Sequence, residues 1–166
     1  MKVALLMGSD SDYGRLEPCV AALRQLEIPF EARVLSAHRT PKELVEFVEG
    51  AAEDGVRVFL CAAGGAAHLA GVVAAHTDLP VIGIPMDNPP LSGMDALLAT
   101  VQMPAGVPVA AVAVGGGGPA NAALFAARIL ALSDPALADR YAAFRASQSE
   151  KVAAKNAALQ ARIEGA

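Results

Sequence analysis

Tryptophan is absent, and phenylalanine and tyrosine bring the aromatic share to only 4%. A flavin clamped between stacked aromatic rings therefore has little to hold it. Cysteine is scarce too. Cys19 and Cys61 stand alone, at no disulfide-framework or metal-ligand spacing, which excludes a stapled scaffold and a zinc ribbon and suits reduced, buried thiols. The 13 lysines and arginines face 17 acidic residues, a formal net charge of −4, and they form no block. A nucleic-acid-binding surface would show a basic stripe. No G-x-G-x-x-G follows the first apolar run, no G-x-x-x-x-G-K-[ST] occurs anywhere, and there is no G-x-S-x-G. Dinucleotide sites, triphosphate loops and serine nucleophile elbows of those types are thereby unsupported. Acid/base groups and electrostatics remain to do any chemistry, with no metal or cofactor called for.

What the chain does have is an apolar majority. Of its 166 residues, 54% are hydrophobic, mostly alanine, valine and leucine interleaved with glycine. That length suits one domain over residues 1–166 with a substantial core. The apolar excess also leads us to expect surface buried between subunits. The run Phe59–Ala75 approaches the length of a membrane span, but it contains three glycines and His68. A buried strand, a glycine turn and a helix explain it better than a bilayer crossing. Met1 leads directly into Val3–Met7 with a single lysine and no cleavage-site pattern, so a cytoplasmic protein without a signal peptide is expected.

Short β-rich runs alternate with helical spacing up to about residue 132. Strands are predicted at Lys2–Met7, Phe30–Leu35, Val58–Cys61, Val81–Ile84 and Val109–Val112, each apolar on both sides of the pleat. Parallel strands covered on both faces read this way. Helices are predicted at Asp12–Leu26, from Thr40 onward, and at about Ala67–His76, Gly93–Gln102 and Pro119–Leu132. At the second of these, Thr40, Pro41 and Glu43 form the pattern of a capping box with proline in the first turn. The βαβ alternation implies right-handed crossovers and a three-layer, doubly wound α/β sandwich, with a flavodoxin-like or related strand order left open. From Asp134 the pattern becomes one long helix, Pro135 to about Ile163, with Ser133 or Asp134 as its cap. This extension, residues 133–166, carries a narrow apolar stripe (Leu137, Tyr141, Phe144) and is expected to pack on a neighbouring subunit or to fray.

In open α/β sheets, ligands bind beyond the carboxyl ends of the strands. Five loops there are polar or rich in glycine. The first, Gly8-Ser9-Asp10-Ser11-Asp12, offers hydroxyls, acids and free backbone amides at a helix start, which suits a phosphate or a ribose diol, or simple helix capping. The second, Ser36-Ala37-His38-Arg39-Thr40-Pro41, is sharper. Arginine presents a planar fork to phosphate or carboxylate, and histidine exchanges its proton near neutrality. The third, Ala63-Gly64-Gly65-Ala66-Ala67-His68, lets backbone amides approach a ligand, with His68 either contacting a carboxylate or lining the turn. The run Gly115–Gly118 before Pro119 is open to two readings, an oxyanion nest or a packing turn. His76 closes a helix and is assigned no function.

These loops resemble those of the class I N5-carboxyaminoimidazole ribonucleotide mutases, the catalytic subunits of phosphoribosylaminoimidazole carboxylase. The resemblance rests on Met7–Asp12, Ser36–Pro41, Ala63–Leu69, Leu91–Asp95, Val101–Val109 and Asn121–Leu124, in order and at family spacing from residue 3 to about 132. It implies a cofactor-free, metal-free isomerase of purine biosynthesis, assembled as a homo-octamer with sites at subunit junctions. Its substrate would be a small molecule, an aminoimidazole ribonucleotide bearing a carbamate; no nucleic acid or membrane partner is implied. The resemblance makes His38 the catalytic proton carrier and puts Arg39 at the phosphate end. Gly8, Ser9, Ser11, Asp12, Ser36, Ala37, Gly64, Gly65, His68 and Leu69 would surround the substrate, and Met103 and Pro104 would wall the base.

The chain departs from the family pattern at Ala70, where proline is usual, at Met86–Pro90, where small residues are usual, and at Gly115–Gly118. None of these removes a proton carrier. A sister class carboxylates the same ribonucleotide directly with carbon dioxide, but its third loop departs from Gly65-Ala66-Ala67-His68. A non-catalytic receiver module would need an aspartate ending the third strand, where Cys61-Ala62-Ala63 stands.

Overall fold

The computed structural model describes residues 1–165. An inner strand of its sheet is β1 (Lys2–Met7), whose Val3-Ala4-Leu5-Leu6-Met7 run is buried throughout. Successive strand side chains point to opposite faces. Val3, Leu5 and Met7 therefore enter one apolar core, and Ala4 and Leu6 enter another. The first core is closed by α1 (Tyr13–Gln25), α5 (Gly118–Leu130) and the start of α6 (Pro135–Glu164). The second is closed by α2 (Pro41–Gly50) and α3 (Leu69–Ala75). A sheet apolar on both faces requires cover on both, and three layers result.

Beside β1 run β2 (Phe30–Val34) and β3 (Val56–Ala63), followed outward from β3 by β4 (Val81–Pro85) and the two-residue β5 (Ala110–Ala111). The order is β2-β1-β3-β4-β5, with every pairing parallel, which is the flavodoxin-like arrangement. The remaining helix, α4 (Met94–Val101), packs on β4 and β5, and its buried Thr100 donates to the Ala96 carbonyl at 2.7 Å. No helix among the described residues is long and apolar enough to cross a membrane.

Two local expectations need correction. β2 is not apolar on both sides: it is the sheet edge, and Ala32, Arg33 and Val34 are exposed. Charges occupy this edge, a common way to discourage further strand pairing. Lys2 Nζ and Arg33 Nε both donate to the Glu31 carboxylate, at 2.7 and 2.6 Å, and hold its pKa below the usual range, Lys2 contributing most. The Arg33 guanidinium also stacks 4.6 Å above the Phe47 ring. Thr40, for its part, makes no side-chain cap on α2. Its Oγ1 turns back to accept from the Ser36 amide at 2.9 Å and donate to the Ser36 carbonyl at 3.2 Å, tying the loop rather than the helix. At α6, Asp134 is the cap, accepting from the Leu137 amide at 3.0 Å. Leu137 is buried, and Tyr141 and Phe144 pack beside it on the first core. Arg140 Nε donates to the Leu26 carbonyl at 2.9 Å. Beyond that anchor, Val152, Leu159 and Ile163 are exposed.

Candidate active site

Every strand of a parallel sheet delivers its following loop to the same edge, so five loops converge there. A cavity of about 290 Å³ opens among the first four. It is lined by Gly8, Ser9, Ser11 and Asp12 after β1, by Ser36, Ala37, His38 and Arg39 after β2, by Gly64, His68 and Leu69 around the β3 turn, and by Asn88 after β4. Ala63 and Ala66 complete its wall. Of the residues expected to carry the proton, hold the phosphate or surround the substrate, Gly65 alone lies outside this lining. Its left-handed φ of +61° turns the loop, and its carbonyl accepts from the Ala67 amide at 2.8 Å. Met103 packs against Gly71 instead, and neither it nor Pro104 lines the cavity.

The first loop is held by its own hydroxyls. Ser9 caps the single 3-10 turn Asp10–Asp12, accepting from the Ser11 amide at 3.3 Å and from Ser11 Oγ at 2.8 Å. Asp12 ends that turn at 6% exposure, without a capping hydrogen bond. Burial raises its carboxyl pKa above the usual range, and the charge of Arg15 partly opposes this. A carboxylate kept out of water and not spent on its own helix is a strong acceptor for a ligand hydroxyl.

The second loop is built around Ser36, whose Oγ accepts from the His38 and Arg39 amides at 3.3 and 3.2 Å. That turn throws both side chains toward the cavity. Arg39 Nη2 donates to the Gly8 carbonyl at 2.7 Å, which braces the guanidinium against the first loop. Among the described residues no carboxylate pairs with Arg39, leaving its charge for an anion. His38 reaches the third loop, its Nε2 lying 2.8 Å from His68 Nδ1 with the rings nearly perpendicular. A hydrogen bond between two imidazole nitrogens requires one proton between them. Whichever ring donates, the contact joins the second and third loops through the two imidazoles.

Asn88 and Arg15 were not expected at the site from the sequence, where Asn88 figured only within the Met86–Pro90 departure. They meet across 73 positions of sequence, Arg15 Nη1 donating to Asn88 Oδ1, and no local pattern announces such a contact. The Gly115 turn receives the chain's own Asp87 carboxylate, which disfavours a second anion there. Cys19 and Cys61 are buried, and burial pushes the Cys19 thiol up to about 12 and raises that of Cys61 as well, so neither is a nucleophile. Among the described residues no group of three or more His, Cys, Asp or Glu side chains is placed to hold a metal ion.

Fold and cavity together define a doubly wound α/β protein whose strand-end cavity presents a guanidinium, hydroxyls and a buried carboxylate beside a histidine pair. Comparison with known proteins narrows that class. Residues 2–151 match the AIR carboxylase family, and the chain belongs to it. It is 52% identical over 159 residues to the N5-carboxyaminoimidazole ribonucleotide mutase of Mycobacterium tuberculosis, covering 96% of this chain and 90% of that protein. The mutase of the same name from Escherichia coli is 46% identical over 151 residues, covering 91% and 89%. Among solved structures, that of Treponema denticola PurE superposes with a TM-score of 0.85 at 31% identity, covering 93% of this chain and 96% of that one.

Proposed function

We infer that this chain is an N5-carboxyaminoimidazole ribonucleotide mutase of purine biosynthesis, converting the carbamate on the exocyclic nitrogen into a carboxylate on ring carbon C4. The observation that carries this reading is the meeting of His38, Arg39, Asp12 and His68 in one cavity, in a chain 46–52% identical to proteins of that name. Arg39 would hold the phosphate and Asp12 the ribose diol, with Ser9 and Ser11 hydroxyls beside them. Gly8, Ser36, Ala37, Gly64, Gly65 and Leu69 shape the walls and turns around the ligand.

In the reaction, the carbamate C–N bond breaks and releases carbon dioxide, while His38 gives a proton to the departing nitrogen. The electron-rich C4 then attacks the retained carbon dioxide, forming the new C–C bond. His38 takes the C4 proton, restoring both the aromatic ring and its own starting state. Retention of carbon dioxide replaces an encounter in bulk water with a local one. His68, hydrogen-bonded to His38, holds its ring in place. The first half of the reaction is lyase chemistry and the sum is an isomerisation.

A cytoplasmic homo-octamer fits this reading, with residues 1–132 as the α/β core and residues 133–166 reaching a neighbour. The exposed Val152, Leu159 and Ile163 support a contact there. Light scattering should then report about eight times the 16.9 kDa chain mass. The decisive assay offers the purified protein the carbamate in one reaction, and aminoimidazole ribonucleotide with bicarbonate in another. Turnover of the first supports the mutase; turnover of the second alone would assign the chain to direct carboxylation.

A further inference from the structure

Asn88 is the one cavity residue contributed by the loop after β4, and that loop is tied down from the opposite side. Arg15, in the first turn of α1, donates from Nη1 to Asn88 Oδ1, and its Nε lies 3.3 Å from Asp87 Oδ1. The Asp87 carboxylate in turn rests against Gly115. One arginine thus grips two consecutive side chains of a segment that would otherwise have only its backbone to place it. The grip also orients the Asn88 amide. With the carbonyl oxygen turned to a cation, the group left over is Nδ2, which carries two N–H donors and no acceptor. Nδ2 lies directly over Gly64, so closely that any side chain at that position would collide with it. The glycine therefore makes room for a donor at the cavity wall.

The position of that donor matters. Arg39 follows β2 and Asn88 follows β4, and β1 and β3 separate these strands in the sheet. The two residues consequently stand at opposite sides of the cavity. A ligand whose phosphate is held at Arg39 presents its other end to Asn88. On the reading of the reaction given above, on which this inference rests, that end is the carboxylated imidazole. We propose that Asn88 contacts the substrate, its Nδ2 donating to the carboxylate carried by the imidazole, and that Arg15, assisted by Asp87, is the residue that positions it. A neutral amide suits this task better than a cation would. The carboxyl group must pass through uncharged carbon dioxide, and a fixed positive charge would stabilise the anion at the start more than the species to be formed.

The test is calorimetric binding of two nucleotides, 4-carboxy-5-aminoimidazole ribonucleotide and its uncarboxylated parent, to the full chain and its variants. Asn88→Ala should bind the carboxylated nucleotide about tenfold more weakly, the loss of one hydrogen bond to a charged acceptor, and the parent within about twofold of the original. Asn88→Asp, nearly isosteric and able to keep the contact with Arg15, replaces the donors by an anionic oxygen and should lose more. Arg15→Ala should show the same ratio between the two nucleotides, over any loss common to both from withdrawing its charge from Asp12. Arg15→Lys should recover part of that ratio, and the ratio in Arg15→Ala with Asn88→Ala should be no larger than in Asn88→Ala alone. A merely structural arginine would instead weaken both nucleotides equally, leaving that ratio unchanged from the original protein. Equal loss for the two nucleotides, or no loss in Asn88→Asp, overturns the proposal while leaving the mutase reading intact if the unaltered protein still turns over the carbamate. If the unaltered protein binds neither nucleotide, both readings fall together.

Discussion

The two ends of the sheet hold cavities of contrasting make-up. At the amino ends of β4 and β5 lies the larger, about 480 Å³, bounded by Thr77, Leu79, Pro80, Pro108, Phe125 and Ile129 among others. Its walls are mainly aliphatic, and Asp78 is the single ionisable side chain in them. At the carboxyl ends lies the smaller, about 290 Å³, into which two histidines, an arginine, a buried carboxylate and three serines converge. Volume alone would favour the amino end, whereas the ionisable side chains gather at the other. The difference teaches that a parallel sheet concentrates polar loops on one edge, because helix starts with free amides gather there, while helix ends and strand beginnings gather on the other.

The contrast can be broken by substitution at either end. The largest effect is expected from His38→Asn, which keeps the size and a hydrogen-bonding group but removes the exchangeable proton. Turnover should fall on the order of 10²–10⁴-fold with little change in nucleotide binding. Loss of binding with normal turnover would remove His38 from its proposed role. Next comes Arg39→Ala. Loss of a charge-assisted contact to phosphate should raise KM by about one to two orders of magnitude, with kcat less affected, as steady-state kinetics would reveal.

Asp12→Asn sharpens the comparison by separating stability from function. Because burial raises the Asp12 pKa, its ionised form costs the folded state stability at neutral pH. The stability that goes with the protonated form is fully present below the ordinary value of 3.8 and is lost as pH rises through the raised one. The variant should therefore melt higher than the original at pH 7, by about 1–4 °C, with the gap closing on acidification, while nucleotide affinity falls. A lower melting temperature at pH 7 would contradict the account of its burial. The smallest effect belongs to the other end of the sheet. Thr77→Ala removes the acceptor for the Leu79 amide, a 3.2 Å bond, and should cost about 0.5–1.5 kcal/mol in denaturant unfolding. Activity should remain within about twofold, and a larger drop would mean that the amino-end cavity takes part in the reaction.

Much of the architecture was legible along the chain because its signals are local. β1 has the bounds expected of it, Lys2–Met7, and the observed bounds of the other strands differ from the expected ones by one or two residues at an end. The strand order was not legible, since any permutation of five buried strands shows the same alternation. Nor was the edge status of β2, which depends on which strand lies outermost. The Thr40 pattern predicted a helix cap, but the hydroxyl found a better geometry with the Ser36 backbone, a competition local spacing does not decide. Among candidate site residues, those of the first three loops line one cavity, Gly65 apart, whereas Met103 and Pro104 lie outside it. Asn88 and Arg15 stayed hidden because their meeting is a product of the fold, and Gly65 belongs to the bend of its loop rather than to the wall.

The first strand carries one more implication. Since β1 feeds alternate side chains to two different cores, it has no spare face on which to absorb an error of phase. Deleting a single codon within it would send every following side chain to the wrong layer and pull Gly8 back by one residue's rise, about 3.3 Å, more than the length of the bond that links it to Arg39. The first seven residues therefore act as a ruler as well as a scaffold: conservative exchanges of one aliphatic side chain for another should be forgiven there, and changes in count should not.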